Sequence, residues 1–223
     1  MADAGAQLAL DFPHMPRFLE SEFLPGTGNQ LALEFLANTV EWPRRQLLLW
    51  GPAGSGKTHL LHIWARRQGG RVLDASRLAH ATWPLVPLAL DDVDRASSET
   101  ALLHLLNAAT EAEQPVLLSA SQPPARLALA LPDLRSRLRA AMAVEIGAAD
   151  DAFLAGLMAR LVAERRVRIE PDVQAWLLQV LPRTPAAVQE AVAKLDLAAL
   201  AARGKVTRAL AKAVLADMLN AVA

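Results

Sequence analysis

The residues GPAGSGKT at positions 51–58 have the types and spacing to hold phosphate. They match GxxxxGK[ST] and stand directly after the apolar run QLLLW and directly before a helical pattern. Glycines let backbone amides curl around phosphate oxygens, Lys57 supplies a point charge to the β and γ groups, and the Thr58 hydroxyl can hold magnesium. The phosphate-facing set is therefore Gly51, Pro52, Ala53, Gly54, Ser55, Gly56, Lys57 and Thr58, with His59 next on the helix. The implied ligands are ATP or ADP with Mg2+. Without them the same residues would be an ordinary glycine-rich turn capping a helix.

A second acidic element follows in LVPLALDDVD, where a buried strand delivers Asp91 and Asp92 to its carboxyl end, the end at which α/β folds bind ligands. In the functional reading Asp91 orients magnesium with Thr58, and Asp92 lies near the γ-phosphate where an attacking water is placed. The alternative is a solvated turn after a strand. Later, PVLLSASQPP puts Ser119 and Ser121 at a strand tip, either as γ-phosphate sensors or as turn formers before Pro123 and Pro124. LPDLRSRLRAAM then spaces Arg135, Arg137 and Arg139 along a short helix. Such arginines are either solvated or, when one projects to a neighbouring subunit, an arginine finger.

These groups need a scaffold. The runs QLLLW, RVLDAS, LVPLAL, PVLLSA and AMAVEI alternate with helical patterns over 57–67 and 97–113, which predicts a parallel sheet covered on both faces. After Gly147 the pattern becomes helical throughout, with Asp150 and Asp151 capping FLAGLMARLVAERR and further helices starting near Pro171, Pro185 and Thr207. The expected organisation is a tail over 1–20, an α/β nucleotide-binding domain over 21–148 and a helical lid over 149–223.

An apolar content of 53% is ample for a core, yet no run approaches the roughly 20 residues of a membrane span. Asp3 stands where a secretory leader would carry positive charge. The absence of cysteine excludes disulfides, thiolate metal sites and cysteine nucleophiles, and fits a cytoplasmic protein. Scattered histidines argue against a zinc site. Lys plus Arg and Asp plus Glu both total 23, so nucleic-acid binding would need a local patch. Ahead of the fold, QLALDF at 7–12 alternates Leu8, Leu10 and Phe12 after Gln7. It reads equally as a short edge strand and as a peptide for another protein's pocket.

Taken in order, NQLALEFL at 29–36, GPAGSGKTHLLHIW, LALDDVD, LLSASQPP and LPDLRSRL make the chain from about Phe23 onward resemble the AAA+ module of the replication initiator DnaA. The resemblance implies an α/β AAA+ P-loop core, a five-stranded parallel sheet of order 5-1-4-3-2 with a C-terminal all-helical lid. It also implies that Asn29 to Ala32 lie near the base-binding side and that Arg137 is the catalytic finger. A layout without a separate N-terminal domain or a helix-turn-helix domain resembles the Hda-type regulators of DnaA, which carry a QL-type hexapeptide that binds the replicative sliding clamp, the β subunit of DNA polymerase III. By that resemblance Gln7, Leu8, Leu10 and Phe12 bind the clamp, DNA is met through it, and Arg137 acts on ATP held by DnaA or by a second copy of this chain. No membrane partner is implied.

The chain departs from the initiator pattern at two places. In PRTPAAVQEAV, Ala186 occupies the position of the lid arginine, with Arg183 one turn earlier, and Ser121 replaces an aspartate at the end of the fourth strand. The expectation is weakened γ-phosphate recognition, a resident ADP and a slow intrinsic ATPase. Rival readings are a helicase-loader or transposition-accessory ATPase, a small-molecule P-loop kinase, and an interaction module with structural ADP.

Overall fold

The computed structural model describes residues 18–20, 23–78, 86–202 and 204–220, so the hexapeptide at 7–12 lies outside the described residues. Helix α1 (Gln30–Ala37) leads through two short 3-10 turns into β1 (Gln46–Trp50), in which Leu47, Leu48 and Leu49 are fully buried. A parallel strand covered on both faces carries a continuous apolar run rather than an alternating one, which is why QLLLW identified itself. The α/β part continues through α2 (Lys57–Arg67), β2 (Arg71–Asp74), β3 (Leu88–Asp91), α3 (Glu99–Glu111), β4 (Val116–Ala120), α4 (Pro132–Ala140) and β5 (Met142–Glu145).

All strand pairs are parallel and the order is β2-β3-β4-β1-β5, which read from the other edge is the expected 5-1-4-3-2. Successive side chains point to opposite faces. Leu48, Leu90 and Leu118 pack with Leu102, Leu105 and Leu106 of α3 and Leu134 and Leu138 of α4. Leu47, Leu49, Ala89 and Leu117 pack instead against Leu36 of α1 and Leu60, Leu61 and Trp64 of α2. Because β3, β4 and β1 are neighbours, the chain segments leaving their carboxyl ends emerge side by side. This brings 51–58, Asp91 and Ser119 together from three separate stretches of sequence.

The remaining helices are α5 (Asp151–Glu164), α6 (Pro171–Val180), α7 (Pro185–Ala202), α8 (Arg208–Val214) and α9 (Ala216–Asn220). They bury their own cluster, including Leu154, Met158, Leu177, Val192, Leu195 and Leu215. The capping chemistry explains their starts: Asp150 accepts from the Phe153 amide at 2.7 Å, and Thr207 Oγ1 accepts from the Leu210 amide at 3.3 Å. One parallel bridge, Ile169 with Val206, also occurs here, and a single pair is too short to leave a periodic trace in sequence.

Packing extends back to Phe18, ahead of residue 21. The Phe18 ring stacks on His62 at 4.2 Å, and Glu20 pairs with Arg67 on the same helix. Among the described residues no helix is long and apolar enough to cross a membrane.

Candidate functional site

The loop after β1 turns sharply because its glycines allow it. A Cβ on Gly51 would fall 2.2 Å from the Ile146 carbonyl oxygen, and Gly54 sits at φ +75°, a left-handed conformation that side chains disfavour. The loop delivers Lys57 into the first turn of α2, where the residue is only 7% exposed. Its ammonium donates to the Gly51 and Pro52 carbonyls at 2.8 and 2.9 Å. Burial holds its pKa below the ordinary lysine value, against the opposing pull of Asp92, Asp91 and Asp94. Ser55 Oγ is buried with no hydrogen-bond partner among the described residues. A bonded but desolvated cation and an orphaned hydroxyl in one loop suit an anion that supplies acceptors to both.

Asp91 is gripped from both sides. Its Oδ2 accepts from Thr58 Oγ1 at 2.7 Å, and its Oδ1 accepts from Ser119 Oγ, a hydroxyl with no exposed surface. The same Ser119 oxygen accepts the Asp92 amide at 2.8 Å, fixing the turn that follows β3. The Thr58 hydroxyl and Asp91 carboxylate thus sit together as the sequence predicted, and this pair fits a magnesium ion that takes its remaining ligands from phosphate and water. Among the described residues no group of three or more His, Asp or Glu side chains could hold a metal ion without such help. Bound there, Mg2+ would neutralise phosphate charge; Thr58 and Asp91 would hold it, and Ser119 keeps Asp91 in place.

Asp92 adopts φ 53° and ψ 55°, a left-handed conformation that turns the chain sharply at the end of β3. Burial raises its pKa, with further upward pressure from Asp91 and Asp94 that Arg95 and Lys57 partly offset. For an acid whose folded pKa exceeds its unfolded value, stability is lost as pH rises from the unfolded value through the folded one, and the loss persists at neutral pH. Replacing Asp92 by Asn, which tolerates left-handed backbone, is therefore expected to raise the thermal midpoint of the nucleotide-free protein at pH 7. The gain should shrink as pH falls below the usual aspartate range, and thermal scans between pH 3 and pH 8 measure it. A constant gain across that range would count against the assignment.

Beside the loop lies an open cleft bounded by Gly26 to Asn29, Ser55, Ile146 to Asp150, Phe153 and Pro185. Asn29, expected on the base side, lines it, but both ends of its amide are engaged, accepting from the Gly26 amide at 2.9 Å and donating to the Leu24 carbonyl at 3.0 Å. The opposite wall, Ile146 to Asp150 and Phe153, was missed in the sequence. Its signal is the small-residue stretch IGAAD directly after β5, which leaves space rather than filling it.

Other expected residues are placed elsewhere. His59 turns its ring away from the phosphate loop: Nε2 donates to the Leu19 carbonyl at 2.9 Å, and the ring packs edge-on against Phe18 and Phe23. Arg137 is not brought to the loop of its own chain. Its Nη1 donates to Thr110 Oγ1 at 3.2 Å, and Thr110 also accepts from Gln46 at the start of β1. Arg137 therefore faces the amino end of the sheet, about 16 Å of strand rise from Gly51. Arg135 and Arg139 donate to the Leu129 and Ala125 carbonyls. Ala186 comes against the loop, its Cβ 3.3 Å from where a Gly54 Cβ would stand, while Arg183 is held by Asp151. Ser121 donates both its amide and its hydroxyl to Asp94, a residue the sequence did not single out.

This five-stranded parallel sheet, with a glycine-rich loop after β1 and a helical part after β5, is the fold of AAA+ P-loop modules. In sequence the chain is related at low identity to DnaA: it is 22% identical to the chromosomal replication initiator protein DnaA of Cutibacterium acnes over 92% of this chain and 47% of that protein. It is 28% identical to DnaA of Rhodopseudomonas palustris over 77% of this chain and 43% of that protein. The chain spans about half the length of these curated relatives. No family model matches it. Among solved structures, domain III of Thermotoga maritima DnaA superposes with a TM-score of 0.75 at 17% identity, over 93% of this chain and 99% of that one. AMPPCP-bound DnaA from Aquifex aeolicus gives 0.67 at 22% identity over 82% and 66%. The Thermotoga maritima RuvB Holliday junction branch migration motor gives 0.64 at 19% identity over 86% and 69%.

Proposed function

We propose that this chain is a nucleotide-binding replication regulator of the Hda type, which stimulates hydrolysis of ATP held by DnaA while anchored to the DNA-loaded sliding clamp. The observation that carries the reading is the division of labour across the sheet. At the carboxyl end, Lys57 bonds to the loop carbonyls and Thr58 to Asp91, an arrangement that suits phosphate and magnesium. At the amino end, Arg137 is half-buried and held by Thr110, out of reach of that site. An arginine so placed can stabilise phosphoryl charge only in a neighbouring subunit.

Nucleotide binding is supported by the loop geometry and by the AMPPCP bound in the similar Aquifex aeolicus protein. The choice of DnaA as target is supported by likeness, in sequence and in fold, to DnaA itself. QLALDF would supply the tether, with Leu8, Leu10 and Phe12 entering an apolar pocket on the clamp and Gln7 at its rim. A tether raises local concentration without any new contact at the active interface.

The test is hydrolysis of ATP prebound to DnaA, in the presence of clamp loaded on DNA, by the full chain and by a chain lacking residues 1–12. Deletion is expected to lower stimulation by about 10²-fold or more, the scale of a lost tether. Equal stimulation by both chains, or none by the full chain, sinks the proposal.

A further inference from the structure

Asp94 stands in the turn after β3, beyond the two aspartates that the sequence marks. Its Oδ2 accepts both donors of Ser121, the backbone amide at 3.1 Å and the hydroxyl. Its Oδ1 is buried and makes no hydrogen bond among the described residues. Ser121 directly follows β4, whose last carbonyl, that of Ala120, accepts from the Gly51 amide at 3.3 Å. The strand tip therefore adjoins the first residue of the phosphate loop. The charge of Asp94 is felt at both Lys57 and Asp92, which places it on the same end of the site.

Phosphoryl oxygens at neutral pH are acceptors, and recognising them takes donors. A serine has one hydroxyl proton and one amide proton, and here both are turned onto a carboxylate. What this serine–aspartate pair offers to an arriving phosphate is lone pairs and negative charge. At the two lid positions that the sequence singled out, Ala186 faces Gly54 and Arg183 is held by Asp151, so neither brings a cation to the loop. We propose that Asp94, locked by Ser121, is the specificity-determining residue by which this site favours a nucleoside diphosphate over a triphosphate. On this proposal a diphosphate is held by Lys57 and the loop amides, whereas the added charge of a third phosphate is set against the Asp94 carboxylate.

This rests on the reading that the loop binds nucleotide, and titration calorimetry with Mg-ADP and with Mg-AMPPCP separates the two. The parent chain is expected to bind ADP more tightly than AMPPCP. Asp94→Asn and Asp94→Ala should each shrink that preference about tenfold, through tighter AMPPCP binding, with the ADP constant moving no more than about twofold. Asp133→Asn, an exposed acid on α4, should leave the preference unchanged. An unchanged ratio in both Asp94 variants, or parallel changes for the two nucleotides, overturns the proposal. Should the alanine variant fail to fold, judged by its thermal transition, the near-isosteric asparagine variant decides alone. A parent chain that binds neither nucleotide overturns the phosphate-site reading and this inference with it.

Discussion

Replacing Lys57 by alanine is expected to abolish nucleotide-induced thermal stabilisation while leaving the nucleotide-free protein folded. The two halves have separate causes. On the proposed reading Lys57 is the cation that meets phosphate, and losing a charge-assisted bond to a buried phosphate would remove the strongest kind of hydrogen bond the loop can make. For the parent chain at a ligand concentration 100 times Kd, binding adds about 2.7 kcal/mol, which in a domain of this size raises the midpoint by about 5–10 °C. The variant should show a rise below about 1 °C.

Without nucleotide the balance is closer. Removing the ammonium leaves the Gly51 and Pro52 carbonyls without that donor, a cost of about 1–3 kcal/mol. Against this, a cation held in a desolvated place is no longer buried, and its lowered pKa records that penalty. The sign is specific. In the window between the depressed folded pKa and the ordinary lysine value the unfolded chain binds more protons, so parent stability rises with pH there. The alanine variant should lack that rise. Full retention of the nucleotide-induced shift in the variant would overturn the role given to Lys57.

Arg137→Ala is expected to cut the stimulated hydrolysis of DnaA-bound ATP by about 10³- to 10⁵-fold, the range over which arginine fingers act. That loss corresponds to about 4–7 kcal/mol of barrier. The same variant should bind ADP at its own loop as the parent does, because the side chain lies at the opposite end of the sheet. Its stability should change by no more than about 1 kcal/mol. The substitution removes the hydrogen bond to Thr110, and Thr110 keeps its partners Gln46 and the Leu106 carbonyl. Stimulation unchanged in Arg137→Ala would overturn the finger role and leave the chain with the AAA+ fold and a different partner. Stimulation abolished together with ADP binding would assign Arg137 a structural role instead.

Features carried by short contiguous stretches were open to reading in one dimension. GPAGSGKT encodes its own loop, since glycine conformations, the lysine position and the helix start are settled within eight residues. The strands declared themselves as unbroken apolar runs because both faces of the sheet are covered. Helix starts at Asp150, Pro171 and Thr207 were marked by local capping chemistry, which acts over three or four residues.

His59 shows where that reading stops. Its place beside Lys57 and Thr58 suggested a phosphate contact, yet consecutive positions on a helix point about 100° apart, and its ring meets Phe18 and Phe23 instead. Residue order alone was enough to mark a glycine-rich loop, its strand-and-helix setting, the succession of elements and the acidic pair after β3. It took the folded chain to show that Ser119 grips Asp91, that Ser121 gives both donors to Asp94, that Ala186 closes on Gly54 and that Arg137 faces away. Each of those contacts joins residues separated by at least 27 positions. Their geometry depends on which strands are neighbours and where the helical part packs, and pairings at that range are set by the assembled core rather than by local propensity.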